Sequence, residues 1–425
     1  MFSVSVWRTP VRRLAMAAAA LLLALPLAPP SHAADPVRVG FSIGLTGANA
    51  PNGKQLLEAI QIWRDDVNAK GGLLGRPVEL VYYDDQTLPP NEPAIYTKLI
   101  EVDKVDLLLG PYGTNQIAAA LPVIAQHKKT TIGILGTAPN HTLHYDQYFA
   151  MIPLGQDPIH SFSVGFFEIA KSMKPEPKTI AIVGVDAEFG KNSTDGARDN
   201  AKKAGLNIVY DRRYPPTTQD FAPIVRAVQA TDPDIMYIAA YPPDSVGIVR
   251  AVSEIGYKPK MIGGGMIGLL ATPLKMRMGP LMNGFINNEI FVPAFKFPGT
   301  EDVLKRYQAI AKQKGGIDPL GYGFVPFGYS AGQVLAQAVE GTKSLDHEKL
   351  AEYMRTHKFS TIAGEVEYGK DGEWKNPRMT FTQWQGLTSG NLAQLSDPKH
   401  WVVVWPAEYK TGDVIYPYAD AIMKK

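Results

Sequence analysis

The stretch from Val37 to Asp85, VRVGFSIGLTGANAPNGKQLLEAIQIWRDDVNAKGGLLGRPVELVYYDD, decides the fold. Val37 to Ile43 is a short run rich in Val and Ile and reads as a strand. Lys54 to Lys70 then sets Leu56, Ile60, Trp63 and Val67 at helical spacing, with Ala59 beside them, and stops at Gly71-Gly72. Val78 to Tyr83 is a second strand. Strand, amphipathic helix and strand in succession form the unit of a parallel sheet covered by helices.

The alternation continues downstream. Helix Glu92 to Asp103, strand Val105 to Leu109, helix Thr114 to Gln126 and strand Thr130 to Ile134 complete one doubly wound lobe, and Phe149 to Ile152 reads as a crossing strand. A second lobe follows, with strands at Thr179 to Val183, Asn207 to Tyr210, Asp234 to Ala239 and Lys260 to Gly263, separated by helices. Gly284 to Val292 crosses back, Tyr329 to Glu340 adds an apolar helix to the first lobe, and a crossing near Lys370 to Pro377 returns the chain. The expected architecture is α/β, two doubly wound Rossmann-like lobes joined by three crossover strands. Lobe 1 spans residues 34–153 and 292–372, and lobe 2 spans 154–291 and 373–425. Ligands in open α/β sheets sit beyond the carboxyl ends of the strands, here in the cleft between lobes.

Upstream, Arg8, Arg12 and Arg13 precede an apolar run from Leu14 to Leu27, and Ser31-His32-Ala33 supplies small residues at a cleavage point. Residues 1–33 therefore read as a signal peptide, which places the mature protein outside the cytoplasm. The run is shorter than the roughly 20 residues of a spanning helix, and Pro26, Pro29 and Pro30 interrupt its end. The 425-residue chain is 45% hydrophobic and 20% charged, enough to bury a large core. Its net charge of +2 falls to about −1 without the three leader arginines, a balance that gives no support for nucleic-acid binding. Cysteine is absent, which excludes disulfides, thiolate metal sites and cysteine nucleophiles.

Catalytic signals are missing. Gly40, Gly44 and Gly47 do not form a dinucleotide fingerprint, no phosphate loop or Gly-x-Ser-x-Gly elbow is present, and Gly263-Gly264-Gly265 is permissive backbone. His141 and His144 lack a third ligand. The expectation is a protein without catalytic residues, metal or cofactor. Two turns are more informative. Leu109 to Asn115 carries a strand into a helix through Tyr112 and Gly113, with Thr114 at the cap, where free N–H groups and the helix dipole make a seat for a carboxylate. Leu135-Gly136-Thr137 follows the next strand in the same way. Phe189 and Tyr241 follow strands of the second lobe, so their rings would face Tyr112 across the gap.

Gly40-Phe41-Ser42-Ile43-Gly44-Leu45-Thr46-Gly47, then Asn68-Ala69-Lys70-Gly71-Gly72-Leu73-Leu74-Gly75-Arg76-Pro77 running into Tyr83-Asp84-Asp85, resembles the periplasmic solute-binding proteins of branched-chain amino acid importers. The similarity extends through Gly110, Thr137-Ala138-Pro139, Phe189-Gly190 and Asp220-Phe221. It implies a type I periplasmic-binding fold that closes on a small ligand and delivers it to the permease of an ABC importer. It also implies that the turns of Thr114 and Thr137 hold the ligand's carboxylate, that Phe189 lines the site and that Tyr241 covers the ligand. A monomer is the default for such a shuttle.

The sequence departs from that pattern where amino-acid binders carry an acidic residue for the ligand's ammonium, because the matching position is Gly265. A buried ammonium without a counter-charge loses several kcal/mol. Tyr112, Phe189, Tyr241 and Met266 then suggest a pocket for an aromatic or apolar carboxylate, with Asn52 reaching a ring hydroxyl from the opening loop. A branched-chain or other amino acid is the alternative, with Asp244 or Glu254 restoring the charge. A sensory ligand-binding module and a secreted hydrolase are rivals of other classes.

Overall fold

β1 (Val37–Ile43), β2 (Val78–Asp84), β3 (Leu107–Tyr112), β4 (Thr131–Ile134) and β5 (Tyr148–Met151) pair in the order β2-β1-β3-β4-β5, all parallel. β6 (Thr179–Val185), β7 (Asn207–Tyr214), β8 (Ile235–Ala240), β9 (Met261–Met266) and β10 (Ile286–Glu289) repeat that plan as β7-β6-β8-β9-β10. The structure is a computed structural model describing residues 1–3 and 35–423, so the expected signal peptide falls almost wholly outside the described residues. Late in the chain, β11 (Lys358–Thr361) and β12 (Gly364–Glu367) form a hairpin. β13 (Thr380–Trp384) and β14 (Trp401–Trp405) then extend the second sheet antiparallel beyond β10.

Every residue of β3 and of β8 is buried, as expected for strands with helices on both faces. Helix Ala50–Ala69 starts four residues before the periodicity predicts, because Pro51 suits a helix's first turn. Its Gly53 packs so closely that a Cβ would stand 2.0 Å from the Gly44 carbonyl oxygen, which brings the loop after β1 onto the helix. Helix Val325–Thr342 lies against it, with Gly332 beneath the Trp63 indole. Asp66 fastens the same face, accepting from both Arg306 Nη atoms at 2.7 and 2.9 Å and from Tyr329 Oη at 2.7 Å.

Three segments run between the sheets. Tyr148–Met151 is itself the edge strand of the first sheet, not a crossing strand, and the chain crosses only after it. The second passage follows β10 and the third follows β12. The first and third lie side by side: Ala150 N–H donates to the Gly372 carbonyl at 2.8 Å, Trp374 Nε1 to the Ala150 carbonyl at 2.8 Å, and Arg378 N–H to the Pro153 carbonyl at 2.9 Å. The Arg378 guanidinium sits over Phe297 at 4.6 Å and over Phe295 at 5.6 Å, which ties in the second passage. Bundled segments of this kind let two lobes swing about one axis without unfolding.

Candidate ligand-binding site

In both sheets the direction of strand order reverses next to one strand, between β1 and β3 and between β6 and β8, and these are the points where open α/β sheets bind ligands. Tyr112 ends β3, Leu135 to Thr137 follow β4, Phe189 opens the helix after β6, and Tyr241 precedes the helix after β8. Four strand ends therefore meet around one cleft.

Gly113, not Thr114, occupies the cap of helix Thr114–Gln126, at φ 96°, a conformation that favours glycine. Thr114 is the first helical residue, and its Oγ1 accepts the Thr137 N–H at 3.0 Å. The expected picture of two hydroxyl caps changes accordingly. Thr137 begins no helix, and its amide is held by Thr114, which leaves the Thr114 hydroxyl proton free to donate. The N–H groups of the first helical turn have no partner inside the helix, and the dipole behind them favours an anion.

These groups line a cavity between the two lobes. Tyr112, Phe162, Phe189, Tyr241 and Phe324 supply rings, and Leu135, Ile152, Ile267, Leu270 and Ile290 supply aliphatic walls. Phe189 and Tyr241 lie 5.5 Å apart between ring centres, and Tyr112 meets Phe324 edge-on at 5.6 Å. The polar lining consists of Asn49, Thr114, Gln116, Thr137 and Asn288, with no charged side chain among the described residues. Burial pushes the Tyr112 and Tyr241 phenols up, so both remain neutral hydroxyls. The wall can hold an anion by hydrogen bonds, but it offers nothing to balance a cation.

The cleft is closed. Asn115 Nδ2 donates to Tyr241 Oη across the gap, and its Oδ1 accepts the Phe189 N–H at 3.0 Å. Asn192 Nδ2 donates to the carbonyl of Thr137 at 2.9 Å. Outside this latch, a wider space toward the mouth is lined by Asn49, Asn115, Tyr241, Asp244 and Arg250.

Of the residues expected at the site, the structure brings Tyr112, Gly113, Thr114, Leu135, Thr137, Phe189 and Tyr241 together on the cavity wall. Asn52, Gly136, Gly265 and Met266 are not on it. Asn52 is fully buried behind Tyr112, donating to its Oη at 2.9 Å. Gly136 faces the core, where a Cβ would meet Ile117 Cδ1 at 2.6 Å. Met266 is buried in β9, its N–H held by Asn287 Oδ1 at 2.8 Å. At Gly265 a Cβ would lie 2.5 Å from Phe162 Cε1, so an aromatic ring fills the place expected for an acid. Glu254 is exposed on its helix, and Asp244 lines only the outer space, where it accepts from Tyr214 Oη at 3.0 Å. Burial pushes the Asp244 carboxyl up to about 6. Sequence reasoning missed Phe162, Phe324 and Asn288, which reach the cavity from distant segments, and the latch residues Asn115 and Asn192.

A family profile described as periplasmic binding protein matches residues 36–391. The chain belongs to the periplasmic binding protein family. Such proteins bind solutes for ABC transporters, and the two-sheet plan described above is that of the type I fold. An amino acid binding protein of Pseudomonas aeruginosa is 25% identical over 357 residues, covering 83% of this chain and 91% of the relative. The branched-chain amino acid transporter substrate-binding protein of Streptococcus pneumoniae, solved with isoleucine, superposes with a TM-score of 0.72 at 20% identity, covering 88% of this chain and all of the other. A Rhodopseudomonas palustris solute-binding protein solved with 4-hydroxybenzoate gives 0.72 at 19% identity, covering 83% and 94%. Neighbours of the same fold thus include an amino-acid binder and an aromatic-acid binder.

Proposed function

We propose that this protein captures a small aromatic or apolar carboxylate in the periplasm by closing its lobes, and presents it to the permease of an ABC importer. The carboxylate sits on the Thr114 and Thr137 hydroxyls at the opening turn of helix Thr114–Gln126, and the ring lies among Tyr112, Phe189 and Tyr241. One observation carries this reading: the cavity wall combines an anion seat with aromatic rings and has no charged side chain among the described residues. Phe162 filling the space beside Gly265 supports it further, since no acid could be added there without moving the ring. Solved neighbours of the same fold that hold benzoate and 4-hydroxybenzoate support the reading.

Binding energy from both lobes drives closure, because a ligand with equal affinity for the open and closed forms shifts nothing. Benzoates, cinnamates and the common amino acids, screened by thermal shift of the purified mature protein, test the reading. It predicts large shifts with aromatic acids and none with leucine. Stabilisation by leucine alone would replace it with the amino-acid reading.

A further inference from the structure

β10 carries two adjacent asparagines in opposite states. Asn287 is satisfied at both ends: its Oδ1 accepts the Met266 N–H at 2.8 Å, and its Nδ2 donates to the Asn288 carbonyl at 2.9 Å. Asn288 is 2% exposed and lines the cavity beside Ile290, yet its Oδ1 is buried with no hydrogen-bond partner in the protein. A leucine, with the same branched outline, would line the cavity without an orphaned acceptor. Buried polar groups are hydrogen-bonded as a rule, so an unpartnered acceptor on a residue that lines a binding cavity calls for a partner that arrives from outside.

We infer that Asn288 is a specificity-determining residue that reads a hydroxyl group on the ring of the bound acid. The inference rests on the proposed function and narrows its ligand class to phenolic carboxylic acids. The carboxylate is held by Thr114 and Thr137 from the first sheet, whereas Asn288 approaches from β10 of the second. The hydroxyl contact therefore adds a bond to the opposite lobe and contributes to closure. Either orientation of the amide suits this guest, since a hydroxyl donates to Oδ1 and accepts from Nδ2. Asn49, whose Oδ1 is also unpartnered, lies instead beside Gly113 at the carboxylate end, so it does not duplicate the role.

Calorimetric titration of the mature protein with benzoate, the three monohydroxybenzoates and the matching fluorobenzoates tests the assignment. One hydroxy isomer should bind at least about 10-fold tighter than benzoate, while the fluoro compound of the same geometry, similar in size but lacking the donor, stays within about threefold of benzoate. Asn288→Leu should erase the hydroxyl preference, so that within the variant the favoured hydroxy isomer binds no more than about twofold tighter than benzoate. Equal affinity for benzoate and every hydroxy isomer in the wild type, or a preference that survives Asn288→Leu, would overturn the assignment while leaving aromatic-acid capture standing. The wild-type series decides the matter even if the variant does not fold. Binding of none of these acids would overturn this inference, and only a thermal-shift screen in which cinnamates and apolar acids also fail would remove the proposed function with it.

Discussion

The backbone amide of Thr137 donates to the hydroxyl of Thr114 at 3.0 Å, joining the turns that follow β3 and β4. The two threonines are therefore unequal. Thr114 orients the second turn as well as supplying a hydroxyl to the proposed carboxylate seat, whereas Thr137 supplies a hydroxyl alone.

Thr114→Val should accordingly weaken binding of an aromatic acid by about 1–3 kcal/mol, roughly 5- to 150-fold in Kd, because it also strands a buried N–H. Thr137→Val should cost about 1 kcal/mol or less. Titration calorimetry on both variants checks the order. A larger loss at Thr137 would mean that the Thr114 contact is not the organising one.

Asn115 and Asn192 hold the lobes together through Tyr241, Phe189 and Thr137. Neither is needed for the fold of its own lobe, so Asn115→Ala and Asn192→Ala should each shift the ligand-free population toward open forms. Affinity should weaken by about 3- to 10-fold, mainly through faster release. Small-angle scattering of the ligand-free Asn115→Ala/Asn192→Ala double variant should give a larger radius of gyration than wild type. Superimposable curves would show that the latch does not set the closed population.

Gly265 stands against Phe162, with a Cβ position only 2.5 Å from the ring. Gly265→Ala should destabilise the protein by about 1–3 kcal/mol through overpacking. Adding Phe162→Leu should recover part of the loss, and denaturant unfolding reads both. Gly265→Asp should give no leucine binding, since the acid would meet the ring before it reached the cavity.

Stability should depend on pH through buried carboxyls. Burial lifts Glu92 and the facing Asp85 well above the carboxylate range, beside Ser42, whose hydroxyl donates to Glu92 Oε2 at 2.6 Å. Burial also pushes Glu289 and Glu373 up to about 8. A carboxyl raised in the fold contributes stability that is present below its unfolded value and lost as pH rises through the folded one. His347 acts from the other side. Burial pushes it down to about 4, so its contribution is present above the usual histidine value and lost as pH falls toward about 4. Four raised carboxyls outweigh the one histidine, so Tm should fall steadily from about pH 5 toward pH 9, and Glu92→Gln should flatten that fall. A Tm that climbs from pH 6 to pH 9 would contradict the burial of these groups.

The alternation of strands and helices was legible because burial on both faces forces apolar runs such as Leu107 to Tyr112, while helices such as Ala50–Ala69 show one apolar stripe. The turns bearing Thr114, Thr137, Phe189 and Tyr241 were legible because each directly follows a strand whose end faces the cleft. Asn52 misled, since a polar residue near an opening loop gives no sign that it turns inward to Tyr112. Phe162, Phe324 and Asn288 carried no local signal at all: their role exists only where distant crossings and helices converge. Glycine at 265 was visible as a departure from the resembled pattern, but the Phe162 ring packed against it was not.

The central claim is that the closed cleft accepts a carboxylate and rejects an ammonium. Matched pairs that differ only in the amino group isolate this: 3-phenylpropanoate against phenylalanine, and 4-methylpentanoate against leucine. Titration calorimetry of the mature protein should show the amine-free acid binding at least about 100-fold tighter within each pair, consistent with several kcal/mol for an unpaired buried ammonium. Tighter binding of the amino acid in both pairs would contradict the account.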